Sequence, residues 1–226
     1  MTPSKFNPLR PAHYSPNLEQ KPAGPPPKRV GILYATREGH TQRIARRIAD
    51  DLRTRGFDVD VFDVRRSLPF ALQNYSAVVL AASVHGGNHE REMVRFVKDH
   101  RKELEGMITA FLSVTLSEAD AERQDVTPEQ HAKFARDVDQ MLKKFFNETS
   151  WSPTLAKPVA GALLYTHYNF LLRLIMRQIA KKAGGGTDTS RDYEYTDWVD
   201  LDRFASDLAE IIRVAHAGEA VLTGAA

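Results

Sequence analysis

The spacing of apolar residues changes several times along the chain, and each change marks an element. Residues 29–35 (RVGILYA) form a short unbroken apolar run rich in strand formers, the pattern of a strand buried on both faces. Ile44, Ile48 and Leu52 then recur every four residues among Arg43, Arg46, Arg47, Asp50 and Asp51, which predicts an amphipathic helix. Gly56 stands where that helix would be capped. Residues 57–63 alternate as a second, more exposed strand, and residues 76–83 (SAVVLAAS) read as a third, fully apolar one. A Gly/His loop at 85–89 leads into a helix with Met93, Phe96 and Val97 inward, and residues 107–115 give a fourth strand. Thr127-Pro128-Glu129-Gln130 reads as an N-cap with proline at the first helical position. The helix it opens buries Phe134, Val138, Met141, Leu142 and Phe145. A fifth strand at 159–164 and helices near 168–183 and 197–216 complete the pattern.

Strands alternating with helices imply right-handed crossovers and a parallel sheet covered on both faces. The expected fold class is α/β, doubly wound and five-stranded, in the order 2-1-3-4-5. Residues 1–28 carry Pro3, Pro8, Pro11, Pro16, Pro22, Pro25, Pro26 and Pro27 with little apolar periodicity, and read as a flexible leader. The domain is expected over residues 29–216, with a flexible tail at 217–226. No internal repeat is found.

Length and composition narrow the chemistry. The chain of 226 residues suits one α/β domain with insertions. It has no cysteine, which removes disulfides, thiolate nucleophiles, iron–sulfur ligands and Cys-based zinc sites, so redox chemistry would need a bound cofactor. A net charge of +2 calls for no nucleic-acid partner. The first residues lack the apolar core of a signal peptide, and the nearest approach to a membrane span, residues 159–176, is interrupted by His167 and Arg173. The cytoplasm is the default compartment.

In a doubly wound sheet, ligands bind beyond the carboxyl ends of the strands beside strand 1. The loop there is Thr36-Arg37-Glu38-Gly39-His40-Thr41, and it opens a helix. Free backbone N–H groups and the helix dipole favour a phosphate at such a place. Thr36 and Thr41 add hydroxyls, Gly39 permits positive φ, and Arg37 or His40 could add charge. It is neither a Walker A loop nor a G-x-G-x-x-G fingerprint. The competing reading is an ordinary Thr-capped helix start.

The loop resembles the flavodoxin FMN-phosphate loop, with Glu38 in place of the middle threonine. Two further loops agree: Ala82-Ser83-Val84-His85-Gly86-Gly87-Asn88-His89 after strand 3, and Ser113-Val114-Thr115-Leu116-Ser117 after strand 4. Across residues 29–212 the chain also carries Phe111-Leu112-Ser113-Val114, Trp151, Pro153, Val159 to Leu163, Leu174-Ile175-Met176, the glycines at 184–186, Thr187-Asp188-Thr189 and Tyr195-Thr196-Asp197-Trp198. In these it is similar to the flavodoxin-like menaquinone-dependent protoporphyrinogen IX dehydrogenases. The resemblance implies an FMN enzyme of haem biosynthesis, peripherally attached to the cytoplasmic face of the cell membrane. Protoporphyrinogen IX would lose six electrons in three steps, each passing hydride to FMN N5, with a membrane quinone (menaquinone or ubiquinone) as acceptor. It implies Thr36, Arg37, Glu38, Gly39, His40 and Thr41 at the phosphate. Ser83, Val84, His85, Gly86, Gly87, Ser113, Val114, Thr115 and Leu116 would lie at the ring. Two stretches depart from the family: His85-Gly86, where bulky or basic residues are usual, and Glu118, Asp120 and Glu122, which replace basic ones. A flavodoxin-type electron carrier and an NAD(P)H:quinone reductase are the alternatives. The pI of about 8.8 argues against the carrier, since such carriers are usually acidic.

Three further features stand out. Between residues 168 and 182, Arg173, Arg177 and Lys181 line one helical stripe, opposite Leu171, Leu172, Ile175, Met176, Ile179 and Ala180. A basic stripe beside an apolar face suits an anionic membrane surface or a dicarboxylate porphyrin, and equally a packed helix with a solvated edge. His85 and His89 are four apart but lack a third ligand, so both read as loop residues and no metal is expected. In Tyr195-Thr196-Asp197-Trp198, Asp197 or Thr196 is expected to cap the last helix while Trp198 packs. No nucleophile or proton acceptor is singled out, and a homo-oligomer stays open.

Overall fold

The computed structural model describes residues 29–66, 71–122, 126–183 and 185–223. The run at residue 29 is β1 (Arg29–Ala35), followed by α1 (His40–Thr54) and β2 (Asp58–Asp63). Then come β3 (Ala77–His85), β4 (Asn88–His89), α2 (Arg91–Asp99), α3 (Arg101–Glu105) and β5 (Ile108–Thr115). After them lie α4 (Leu116–Ala121), α5 (Pro128–Thr149), β6 (Leu155–Ala160), β7 (Ala162–Leu163), α6 (Phe170–Ala183), β8 (Tyr193–Glu194) and α7 (Trp198–Thr223). The five long strands are parallel in the order β2-β1-β3-β5-β6, and β4 pairs back on β3. This is the expected topology, with one hairpin strand added.

Each face of the sheet has its own core. On one, Ile44, Ile48 and Leu52 of α1 and Leu201, Phe204, Leu208 and Ile212 of α7 pack over Val30, Ile32, Val79 and Leu112. On the other, Met93 and Val97 of α2, Leu104 of α3 and Phe145 of α5 cover Leu33, Leu80 and Phe111, with Trp151 behind. Phe111 and Phe145 stack at 4.3 Å between ring centroids. Burying each such side chain contributes about 1.5–3 kcal/mol. Alternate positions of β1 and β3 feed opposite cores, so a one-residue register slip would exchange them. The N-terminus of α5 follows its sequence: Thr127 and Gln130 form a reciprocal capping box, with Pro128 at the first helical position.

The fifth strand differs from its expected bounds. It begins earlier, at Leu155, and leaves the sheet at Gly161. Pro158 is tolerated because β6 is an edge strand, where a missing N–H can face away from the ladder. Gly161 donates to the Thr115 carbonyl at 3.0 Å and accepts from the Tyr195 N–H at 3.1 Å. Beyond it, β7 joins β8 in a separate antiparallel ribbon. Helix α6 is therefore inserted between two strands of a small stem. Leu163, Tyr165, Tyr168 and Ala180 form a third core there, with Met176, Tyr193 and Tyr195 packed on it. Helix α7 runs to Thr223 rather than ending near 216, so residues 217–223, expected as tail, have helical backbone. The Pro-rich leader lies outside the described residues.

Candidate functional site

The carboxyl end of β1 delivers the chain into a tight turn. The Thr36 hydroxyl accepts from the Gly39 N–H at 3.1 Å, and Gly39 sits at φ 92°, the left-handed region that disfavours a side chain. Helix α1 starts at His40, so the N–H groups of its first turn have no intrahelical acceptor. The Thr41 hydroxyl is buried and has no hydrogen-bond partner. The Thr196 hydroxyl donates to the Ala160 carbonyl at 2.6 Å and lies 2.7 Å from His40 Nε2, so His40 donates to it through Nε2. That leaves His40 Nδ1 unprotonated, buried and unpartnered. Burial lowers the His40 pKa, so the ring is neutral. Arg37 turns to the buried Glu90 carboxylate at 3.0 Å. Neither of the cations anticipated for the loop is free for a phosphate; the N–H groups, the dipole and the Thr41 hydroxyl remain.

The second loop is tighter than its sequence suggested. Gly86 (φ 57°) and Gly87 (φ 73°) make a two-residue hairpin turn between β3 and β4, the conformation that right-handed strand twist requires. His89, read as a loop residue, is a buried β4 residue against Phe111 and Phe145, with Nε2 2.9 Å from Ser113 Oγ. Burial pushes its pKa down to about 4. His85 remains at the turn, its Nε2 3.2 Å from Glu90, 3.2 Å from Ser83 Oγ and 3.4 Å from Glu38. Glu38 is thereby held on the His85 side of the loop. At the third loop, Thr115 caps α4 by accepting from the Ser117 N–H at 3.2 Å.

These ends enclose a cavity of about 460 Å³. Thirteen of the fifteen expected cofactor residues line it. Gly39 shapes the turn without lining it, and Ser113, fully buried, lies beneath on His89. The far wall is the insert: Tyr168, Leu172, Met176 and Ile179, joined by Met141 of α5 and by Gly161, Ala162 and Leu164. Helical spacing marked Leu172, Met176 and Ile179 as one apolar face, but nothing in the sequence said that this face looks onto the β3 and β5 loops. The basic stripe is not part of the wall. Arg173 donates to the carbonyls of Tyr165 (3.0 Å) and Tyr168 (3.1 Å), tying α6 to its stem, while Arg177 and Lys181 are exposed outside the cavity. At the last helix it is Asp197 that caps, accepting from Val199 (2.9 Å) and Asp200 (3.0 Å); Thr196 serves His40 instead.

A phosphate end with an orphaned buried hydroxyl, opening into a slot between a Gly-Gly turn and the start of α4, fits FMN. Comparison with known proteins agrees. A family model described as a flavodoxin domain matches residues 31–190. A Leishmania major protoporphyrinogen IX dehydrogenase [quinone] is 36% identical over 80% of this chain and 74% of its own length. Its counterpart from Escherichia coli strain K12 is 35% identical over 80% of this chain and 94% of its own. The chain belongs to this flavodoxin-like dehydrogenase family. As a flavodoxin-like protein, it is an FMN-binding chain. An archaeal flavodoxin structure aligns over 82% of the chain at 14% identity and a TM-score of 0.47, and adds nothing to the assignment.

For a member of this family the acidic departures prove peripheral. Glu118 and Glu122 lie off the cavity, near Lys157, Asp197 and Asp200. Burial first, then Glu122, pushes the Glu118 carboxyl up to about 7. The His85-Gly86 departure does line the cavity. Among the described residues no His/Cys/Asp/Glu cluster could hold a metal ion.

Proposed function

We propose that this protein oxidises protoporphyrinogen IX to protoporphyrin IX, with electrons leaving to a membrane quinone. The observation that carries this is the two-faced helix α6. Leu172, Met176 and Ile179 on one side line the cavity, Ile179 still half exposed, while Phe170 (82% exposed), Leu171 (65%), Leu174 (46%) and Ile175 (48%) are open to solvent and line no part of it. So large an apolar surface on one helix marks an interaction site. The exposed apolar side of α6 would lie on the bilayer at the cytoplasmic face; among the described residues no helix is long and apolar enough to cross a membrane. Arg177 and Lys181 at the edge would meet anionic headgroups. An apolar quinone, and a porphyrinogen that is apolar apart from its two propionates, could then both reach the cavity from the membrane surface.

When bound, FMN supplies a two-electron carrier that accepts hydride and releases electrons singly or in pairs. The chain holds it and shapes its surroundings. The first-turn N–H groups and Thr36 and Thr41 would hold its phosphate. The β3 turn (Ser83 to Gly87) and Val114, Thr115 and Leu116, which line the cavity, would hold the flavin. Tyr168, Leu172 and Met176 on the cavity wall would exclude water from the reaction, which protects the substrate from side reactions.

The test is anaerobic mixing of FMN-loaded protein with protoporphyrinogen IX, following flavin bleaching and then reoxidation by a menaquinone analogue. Rapid bleaching and reoxidation are expected. A flavin that stays oxidised would overturn the reading.

A further inference from the structure

Beside the flavin cavity lies a second one, of about 540 Å³, that shares Arg37 and His85 with it. Its walls carry four cations, Arg37, Arg91, Arg95 and Lys98, against two carboxylates, Asp99 and Glu148. Two of the cations are already matched, Arg37 by Glu90 at 3.0 Å and Lys98 by Glu148 at 3.3 Å. Arg91 and Arg95 have no ion pair among the described residues, and both are exposed. Arg43, Arg47, Arg55 and Arg65 each close on a carboxylate at 2.6 Å, whereas Arg91 and Arg95 share one cavity wall with no carboxylate among the described residues closed on either. They lie four residues apart on α2, which puts them side by side, where like charges repel.

The dehydrogenase reading requires a dicarboxylate to be oriented over the ring. Of the three basic residues the sequence suggested for it, Arg173 is committed to the Tyr165 and Tyr168 carbonyls, and Arg177 and Lys181 do not line the flavin cavity. We infer that Arg91 and Arg95 form an anion site for the two neighbouring propionates of the tetrapyrrole. The macrocycle would sit against the β3 turn at His85 and Gly86, and its carboxylate edge would extend past Arg37 into the second cavity. Arginine suits this role because its planar fork pairs with a carboxylate through two hydrogen bonds. A dianion also relieves the repulsion between the two guanidiniums. Gly86 and Gly87 add no side chain to the turn beside His85, the residue that lines both cavities.

This inference rests on the proposed function, and one experiment separates the two. FMN-loaded full-length protein is titrated with protoporphyrin IX and with its dimethyl ester, in wild type and in Arg91→Gln/Arg95→Gln. Porphyrin absorbance gives the dissociation constants. The wild type should prefer the free acid by about tenfold, as two exposed ion pairs allow. The double glutamine variant should lose that preference with FMN affinity unchanged, and Arg91→Lys/Arg95→Lys should keep part of it. Porphyrin binding and porphyrinogen oxidation with an acid preference that survives in the glutamine variant would overturn the anion site and leave the function standing. Absence of both binding and oxidation would overturn both. Flavin reduction by NADPH that slows in the glutamine variant, with porphyrin binding unmoved, would assign the pocket to dinucleotide phosphates and remove the carboxylate reading.

Discussion

Thr41→Val tests the phosphate site through two effects of opposite sign. The Thr41 hydroxyl is buried and unpartnered in the protein alone. A buried hydroxyl without a partner costs about 1–3 kcal/mol. Valine has nearly the same shape and no polar atom, so the FMN-free variant should be more stable than wild type, by about 1 kcal/mol after allowing for partial solvation. With FMN bound, the same hydroxyl would donate to a phosphate oxygen, and a hydrogen bond to a charged group is worth about 1.5–3 kcal/mol. Its loss should weaken FMN binding by about 10- to 100-fold, since each 1.4 kcal/mol is a factor of ten. Urea unfolding of the FMN-free protein measures the first effect, and quenching of FMN fluorescence on titration measures the second. A hydroxyl with only a structural role would give a destabilised variant with unchanged FMN affinity, and that result would refute the reasoning.

The other predictions follow from burial and backbone geometry. His89 titrates near 4 when folded, against 6.5 for an ordinary histidine, so the unfolded chain takes up its proton first and stability is lost as pH falls through that window. Between about pH 7.5 and about pH 5 the loss should be about 2 kcal/mol, and urea unfolding of His89→Gln should show that much less acid sensitivity than wild type. Glu118 has the opposite sign: its carboxyl is raised from 4.5 to about 7, so its stabilisation is present at low pH and lost as pH rises through 7. Glu118→Gln should therefore gain on wild type in thermal unfolding as pH rises, and parallel pH curves would contradict this. Gly39→Ala places a side chain at φ 92° and should cost about 1–2 kcal/mol in thermal unfolding while loosening FMN. Leu171→Ser/Ile175→Ser should reduce co-sedimentation with anionic vesicles severalfold and leave FMN binding unchanged; equal sedimentation would remove α6 as the membrane-facing helix.

Much of this protein was legible in one dimension. The apolar run at 29–35 and the four-residue spacing of Ile44, Ile48 and Leu52 announce β1 and α1, because burial on two faces or on one stripe leaves a periodic record. The N-cap at Thr127 and the glycine before α1 are local chemistry and were equally readable, while the reciprocal Gln130 bond came with the structure. The topology and most of the cavity lining follow from these, since a doubly wound sheet always gathers the loops after its strands at one edge.

What distance along the chain conceals was decided only by tertiary contact. His89 looked like a loop residue because its burial depends on Phe111 and Phe145, which lie 22 and 56 positions away. Arg173 looked free because its acceptors are backbone carbonyls, and backbone carbonyls leave no trace in residue type. The charge expected at the phosphate loop disappeared for the same reason: Glu90 claims Arg37, and Thr196 sets the tautomer of His40. Whether the apolar face of α6 would be core, cavity wall or open surface depended on where the β7–β8 stem points it. Periodicity records that a face is apolar, and only packing determines what that face meets.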